Sequence, residues 1–67
     1  MTFGQAIKEG REAKGLTQRE LAEIVNISRA AIARIEGMSL MPSTLLAQQL
    51  LIALDLPADI MMYPLAK

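Results

Sequence analysis

The chain has 67 residues, no cysteine and no histidine, and seven basic side chains balance seven acidic ones. This length predicts a single domain, near the lower size limit at which a hydrophobic core is sufficient without disulfides or bound metal. The composition excludes disulfides and argues against structural zinc. Without cysteine or histidine the usual nucleophile and base pairs are missing, so we expect no enzyme, no metal and no cofactor. Abundant helix formers such as alanine, leucine and methionine favour an all-α fold.

The charges are distributed unevenly along the chain. Residues 1–34 hold six basic and four acidic side chains, whereas residues 35–67 hold one basic and three acidic ones. Because DNA binding depends on the charge of the protein face that meets the DNA, a net charge of zero does not exclude binding to nucleic acid. No signal peptide is visible in residues 1–15, and the uncharged run 37–54 is too polar to span a bilayer. We therefore expect a cytoplasmic protein without membrane contact.

A first helix is predicted from its ends. Thr2 and Gln5 have the spacing of a capping box, in which each side chain accepts a hydrogen bond from the other residue's backbone amide. Gly15 is a natural stop, since glycine adopts the left-handed conformation that closes a helix. Between them the apolar positions recur at helical spacing and predict a buried face at Phe3, Ala6, Ile7 and Gly10.

Two short helices follow, joined by a tight turn. Thr17 would cap a second helix of about residues 18–25, and Asn26 tolerates the positive φ that a sharp turn requires. Ser28 would cap a third helix of about residues 28–36. Two short capped helices around such a turn have the physical form of a helix-turn-helix.

The last part of the chain predicts two more elements. A fourth helix would begin at Pro42–Thr44 and reach about Leu54. A short fifth helix would occupy Pro57–Met62, because proline suits a first helical turn. The alternative for Ile60–Tyr63 is a short extended strand, since a short apolar run before a proline fits either structure.

The stretch GLTQRELAEIVNISRAAIARIEG, from Gly15 to Gly37, resembles the lambda-repressor/Cro-type (XRE) helix-turn-helix DNA-binding domains. A looser similarity runs from Phe3 to about Met62. The resemblance implies that residues 1–67 form one compact five-helix bundle, in which the second and third helices read DNA.

The resemblance also implies roles for individual residues. The expected base-reading positions on the third helix are Arg29, Ala30, Ala33 and Arg34. An arginine can donate two hydrogen bonds to guanine, and an alanine methyl can pack on thymine. The expected phosphate contacts are Gln18, Arg19 and Ser28, and the expected internal ion pair is Arg11 with Glu36. For the arginines the alternative is a merely solvated charge, and for Gln18 it is a helix-start residue without contact to DNA.

The region after the third predicted helix departs from the family pattern. The loop GMSLMPS, residues 37–43, lacks the basic side chains that often contact the DNA backbone there, which weakens the expected hold on phosphates. Surplus apolar side chains predict a homodimer interface at Leu45, Leu51, Ile52, Met61, Met62 and Tyr63, within an apolar association half of about residues 38–65. The alternative is that some of them complete the core.

Two functions are consistent with these patterns. The first is a repressor-like, sequence-specific transcriptional regulator that binds a pseudo-palindromic operator in double-stranded DNA as a homodimer, through the major groove. The second is an antitoxin, or another protein-interaction module of a toxin–antitoxin pair, whose apolar half would hold a toxin partner.

Overall fold

The computed structural model describes residues 1–64 and consists of four α-helices followed by a short 3₁₀ helix. The helices are α1 (Phe3–Ala13), α2 (Gln18–Val25), α3 (Arg29–Glu36) and α4 (Thr44–Ala53), and the 3₁₀ helix is Ala58–Met62. The predicted all-α, five-element bundle is confirmed, with the fifth element as a 3₁₀ helix rather than a strand. In the described range, no helix is both long and apolar enough to cross a membrane.

Each α-helix begins where a hydroxyl side chain caps it. This hydroxyl accepts a hydrogen bond from the backbone amide three residues further on, which satisfies a donor that the helix itself leaves free. The capping residues are Thr2, Thr17, Ser28 and Ser43. In α1 and α2 the side chains of Gln5 and Glu20 return the bond and complete the capping boxes. The first residue of each of the four α-helices is therefore fixed by hydrogen bonds between residues three positions apart.

The turns place left-handed residues where the chain must change direction. Asn26 has φ 60° between α2 and α3, and Gly15 has φ 70° after α1, as the sequence predicts. At the end of α3, Gly37 has an ordinary φ of −80° and the next residue, Met38, has φ 65°. The amide of Ser39 donates to the carbonyl of Arg34 at 2.9 Å and closes the helix in the Schellman arrangement.

One aliphatic core joins the helices. Its most deeply buried side chains are Ile7, Leu21, Ile32, Ile35 and Leu50. The helices α2 and α3 pack on each other, α1 packs on α3, and α4 packs on α2 and on the 3₁₀ helix. The close approach of α1 to α3 depends on Gly4, because a Cβ there would overlap the carbonyl oxygen of Ile35. The core thereby holds the α2–α3 unit from both sides.

The burial of Leu51 corrects one prediction. Leu51 was predicted to lie on a dimer surface with Leu45 and Ile52, but its side chain is only 3% exposed. At 100° per residue, Leu51 lies on the same side of α4 as Ala47 and Leu50, which face the core. Leu45 and Ile52 lie on the opposite side and are 65% and 76% exposed. Leu51 is therefore a core residue.

The 3₁₀ helix and its surroundings complete the apolar half. Ile60 is buried, Met61 packs partly against the core, and Met62 and Tyr63 are exposed. The partial burial of Met61 reduces the surface it offers to a second molecule. The predicted association half ends at residue 65, which lies outside the described residues.

Candidate DNA-binding surface

The outward face of α3 presents the polar residues of the motif. Ile32 and Ile35 point into the core, while Arg29, Ala30 and Arg34 are exposed. Ala33 is only partly exposed. Three of the four predicted base-reading side chains are thus brought together on one open helix face.

A buried ion pair fixes the end of α3 against α1. The guanidinium of Arg11 donates from Nε to Oε2 of Glu36 at 2.7 Å and from Nη2 to Oε1 at 3.2 Å. Its Nη1 also donates to the carbonyl oxygen of Leu16 at 2.7 Å, just before α2. The hydrogen bond with Glu36 raises the pKa of Arg11 above its ordinary value, although burial opposes this. The predicted pair of Arg11 and Glu36 is present, and it ties three parts of the chain together.

Gln18 joins the same network. Its Nε2 donates to Oε1 of Glu36 at 3.1 Å, so the carboxylate of Glu36 receives donors from both α1 and α2. Sequence reasoning assigned Gln18 to a phosphate and missed this internal bond, which joins residues 18 positions apart. A side-chain amide carries two N–H donors, so one can hold Glu36 while the other is offered to a phosphate oxygen.

The other two predicted phosphate contacts are both exposed. Arg19 is exposed in the first turn of α2, and Ser28 is exposed directly before α3. The hydroxyl of Ser28 accepts from the amide of Ala31 at 3.1 Å. A hydroxyl that accepts this bond still has a proton to donate, so Ser28 can cap the helix and contact a phosphate together.

The electrostatic character of the motif comes from a few cations. Arg19, Arg29 and Arg34 are exposed, whereas Lys14 forms an ion pair with Asp55 at 2.7 Å. The loop of residues 37–43 contributes no charge. These three exposed arginines all lie on α2 and α3, where Glu20 and Glu23 are exposed as well.

Several large apolar side chains are also exposed. Besides Leu45 and Ile52 of α4, they are Met1, Ile24, Met38, Met41, Met62 and Tyr63. Ile24 is not among the predicted surface residues, because an isoleucine inside a short helix is normally a core residue. Its side chain is nevertheless 57% exposed at the end of α2.

Comparison with known proteins supports the reading of the motif. A family model described as helix-turn-helix matches residues 7–61, a range that includes α2, the turn at Asn26 and α3. Comparisons with curated proteins and with solved structures gave no match.

Proposed function

Since the chain belongs to the Cro/CI-type helix-turn-helix family of DNA-binding regulators, we propose that it reads a specific DNA sequence through α3. The observation that carries this proposal is the joint exposure of Arg29, Ala30 and Arg34 on one face of that helix. Members of this family are regulatory DNA-binding domains rather than typical enzymes.

In the proposed complex, α3 lies in the major groove. Arg29 and Arg34 donate paired hydrogen bonds to guanine edges, and the methyl groups of Ala30 and Ala33 pack against thymine. Gln18, Arg19 and Ser28 contact phosphates and set the register of docking. The network of Arg11, Glu36 and Gln18 supports this geometry, because it fixes α3 relative to the start of α2.

The binding unit we propose is a homodimer on a pseudo-palindromic operator. Two copies of α3 would enter successive major grooves about 34 Å apart, and occupation of the operator would repress transcription. The exposed apolar side chains of α4 support pairing, since a small monomer rarely leaves such residues uncovered. A dimer also doubles the few cations that each chain brings to DNA.

The same apolar side chains favour a second candidate function. An antitoxin would use them to hold a toxin partner, and it could bind its own operator through the same α3. The two functions differ in what the purified chain does alone. A regulator binds duplex DNA without a second protein, whereas an antitoxin would need its toxin for full stability.

Selection of bound duplexes from a random pool tests the first function. We expect the parent protein to enrich one pseudo-palindromic sequence with guanines in each half-site. The variant Arg29→Ala/Arg34→Ala should lose that enrichment while keeping weak affinity for any duplex. If the parent protein enriches no sequence at moderate salt, sequence-specific reading by this chain is excluded.

A further inference from the structure

The outer face of α4 has the spacing of a helix-packing seam. Leu45, Gln48, Gln49 and Ile52 are all exposed and stand at positions i, i+3, i+4 and i+7, so they share one side of the helix. The seam has an aliphatic residue at each end and two amides in the middle. In a solvated helix such positions usually carry charge, but here none does.

Shallow grooves accompany this seam on both sides. On one side Ile24 and Val25 of α2 face Gln49 and Ile52 across a groove. On the other side Leu56 and Met61 line a groove with Gln48 and Ile52. The seam is thus a ridge between two apolar grooves, which is the shape that helices use when ridges of one pack into grooves of another.

The charge pattern indicates which molecule covers this face. Residues 37–54 contain no charged side chain. In a two-fold interface the central residues of each copy meet those of the other copy, so a charge at the axis would repel its equivalent. An amide avoids this problem because it carries both donor and acceptor groups and can pair with another amide. A seam with two glutamines at its centre is therefore complementary to itself.

We infer that α4 packs antiparallel against α4 of a second copy of this chain, with the two-fold axis between Gln48 and Gln49. This arrangement places Leu45 against Ile52 of the partner subunit at both ends of the seam and seats each ridge in a groove beside the other. Ile24, on α2, forms the edge of the contact. For its role on DNA, the inference rests on the proposed function. The contact uses α4 and Ile24 of α2, and the exposed side chains of α3 are not part of it.

A charge-swap experiment tests the contact directly. One full-length double variant is Gln48→Glu/Gln49→Glu, and the other is Gln48→Lys/Gln49→Lys. All four substitutions lie at exposed positions and introduce helix formers, so the helix is retained. Each double variant alone should show a dissociation constant about tenfold or more above the parent in sedimentation equilibrium, because like charges meet at the axis. An equimolar mixture of the two should recover heterodimer with parental affinity or better.

A matched control and three contrary outcomes make the experiment decisive. Ala13→Glu adds one charge at an exposed residue of α1, outside both the seam and the apolar half of residues 38–65, so it should leave the dissociation constant unchanged. The inference is overturned if the parent is monomeric throughout, if the double variants associate like the parent, or if their mixture stays monomeric. Duplex selection by the parent protein separates the two proposals. If the mixed charge variants recover the heterodimer but the parent selects no DNA sequence, the α4 contact stands and the proposed function as a regulator fails. If the parent selects a sequence but the mixture does not recover the heterodimer, the proposed function stands and the α4 contact fails.

Discussion

Among the individual side chains, Glu36 connects three helices. Its carboxylate is almost fully buried and accepts hydrogen bonds from Arg11 of α1 and Gln18 of α2. A buried charge is tolerated only when it is paired and hydrogen-bonded, and each of these three groups satisfies another. The carboxylate consequently holds the end of α3 in one place, and α3 is the helix proposed to read DNA.

Replacement of Glu36 by alanine tests this role. The change leaves the guanidinium of Arg11 buried without its main partner, so the free energy of unfolding should fall by about 3–5 kcal/mol. Urea denaturation measures the loss. The control is Lys14→Gln, which removes the exposed pair with Asp55 and should cost less than about 1 kcal/mol. Equal losses for the two variants would show that burial of the network adds nothing.

Among the helices, α1 packs against α3 at a backbone distance that only glycine allows. A Cβ at Gly4 would meet the backbone carbonyl oxygens of Ile35 and Glu36, which cannot move away. A Cβ at Gly10 would instead meet the side-chain tip of Leu56, at 3.0 Å, and that tip can rotate. The two glycines of α1 therefore have different reasons to be glycine.

This difference yields a matched pair of substitutions. Gly4→Ala should lower the free energy of unfolding by about 1–3 kcal/mol, because α1 must shift away from α3. Gly10→Ala should be near neutral, since the better helix propensity of alanine, about 1 kcal/mol, offsets the repacking of Leu56. Thermal unfolding of both variants beside the parent gives the comparison. A harmless Gly4→Ala would contradict the close approach of the two helices.

The helix starts were predictable because their causes are local. A hydroxyl at Thr17 or Ser28 needs only the amide three residues away, and the sequence contains both groups. The side of α4 that is buried was harder to predict, because a helix with so many apolar residues does not mark one face clearly. Leu51 was misplaced for this reason.

The candidate site shows the same division between local and long-range causes. The exposure of Arg29 and Arg34 follows from the helical period of α3, which the sequence contains. The bond from Gln18 to Glu36 depends on how α2 crosses α3, and no short segment encodes that crossing. The left-handed Met38 was also missed, because the neighbouring Gly37 is the residue that normally adopts this conformation.

The two arginines of α3 give a third prediction, on selected DNA. Arg29→Ala or Arg34→Ala should each weaken binding to the selected duplex by about 1–3 kcal/mol and relax the preference at particular base pairs. Lys8→Ala, on the exposed side of α1, should leave both affinity and preference unchanged. Fluorescence anisotropy with the selected and a scrambled duplex measures the effect. A parallel loss on both duplexes would assign the arginines to phosphates instead of bases.

At the scale of the whole molecule, the net charge of the protein contributes little to its affinity for DNA. Its formal net charge is zero, and the loop of residues 37–43, which follows α3, contains no cation. Most nonspecific affinity for DNA comes from release of counterions at neutralised phosphates. A protein of this kind should therefore bind with a shallow salt dependence and depend more on its base contacts and on pairing.

A lysine in that loop should restore the missing contact. Met41 is 69% exposed there, and Met41→Lys should raise affinity for selected and random duplexes by the same factor. Each added phosphate contact steepens the slope of log K against log salt by about 0.9, so a dimer should change by about 1.8 and a monomer by about 0.9. Glu9→Gln, at an exposed residue of α1, raises the net charge by the same one unit and controls for net charge alone. A steeper slope in both variants would mean that the position of the added charge does not matter. A steeper slope in Met41→Lys alone would place the loop near the phosphates, and its size would show whether one or two chains bind the duplex.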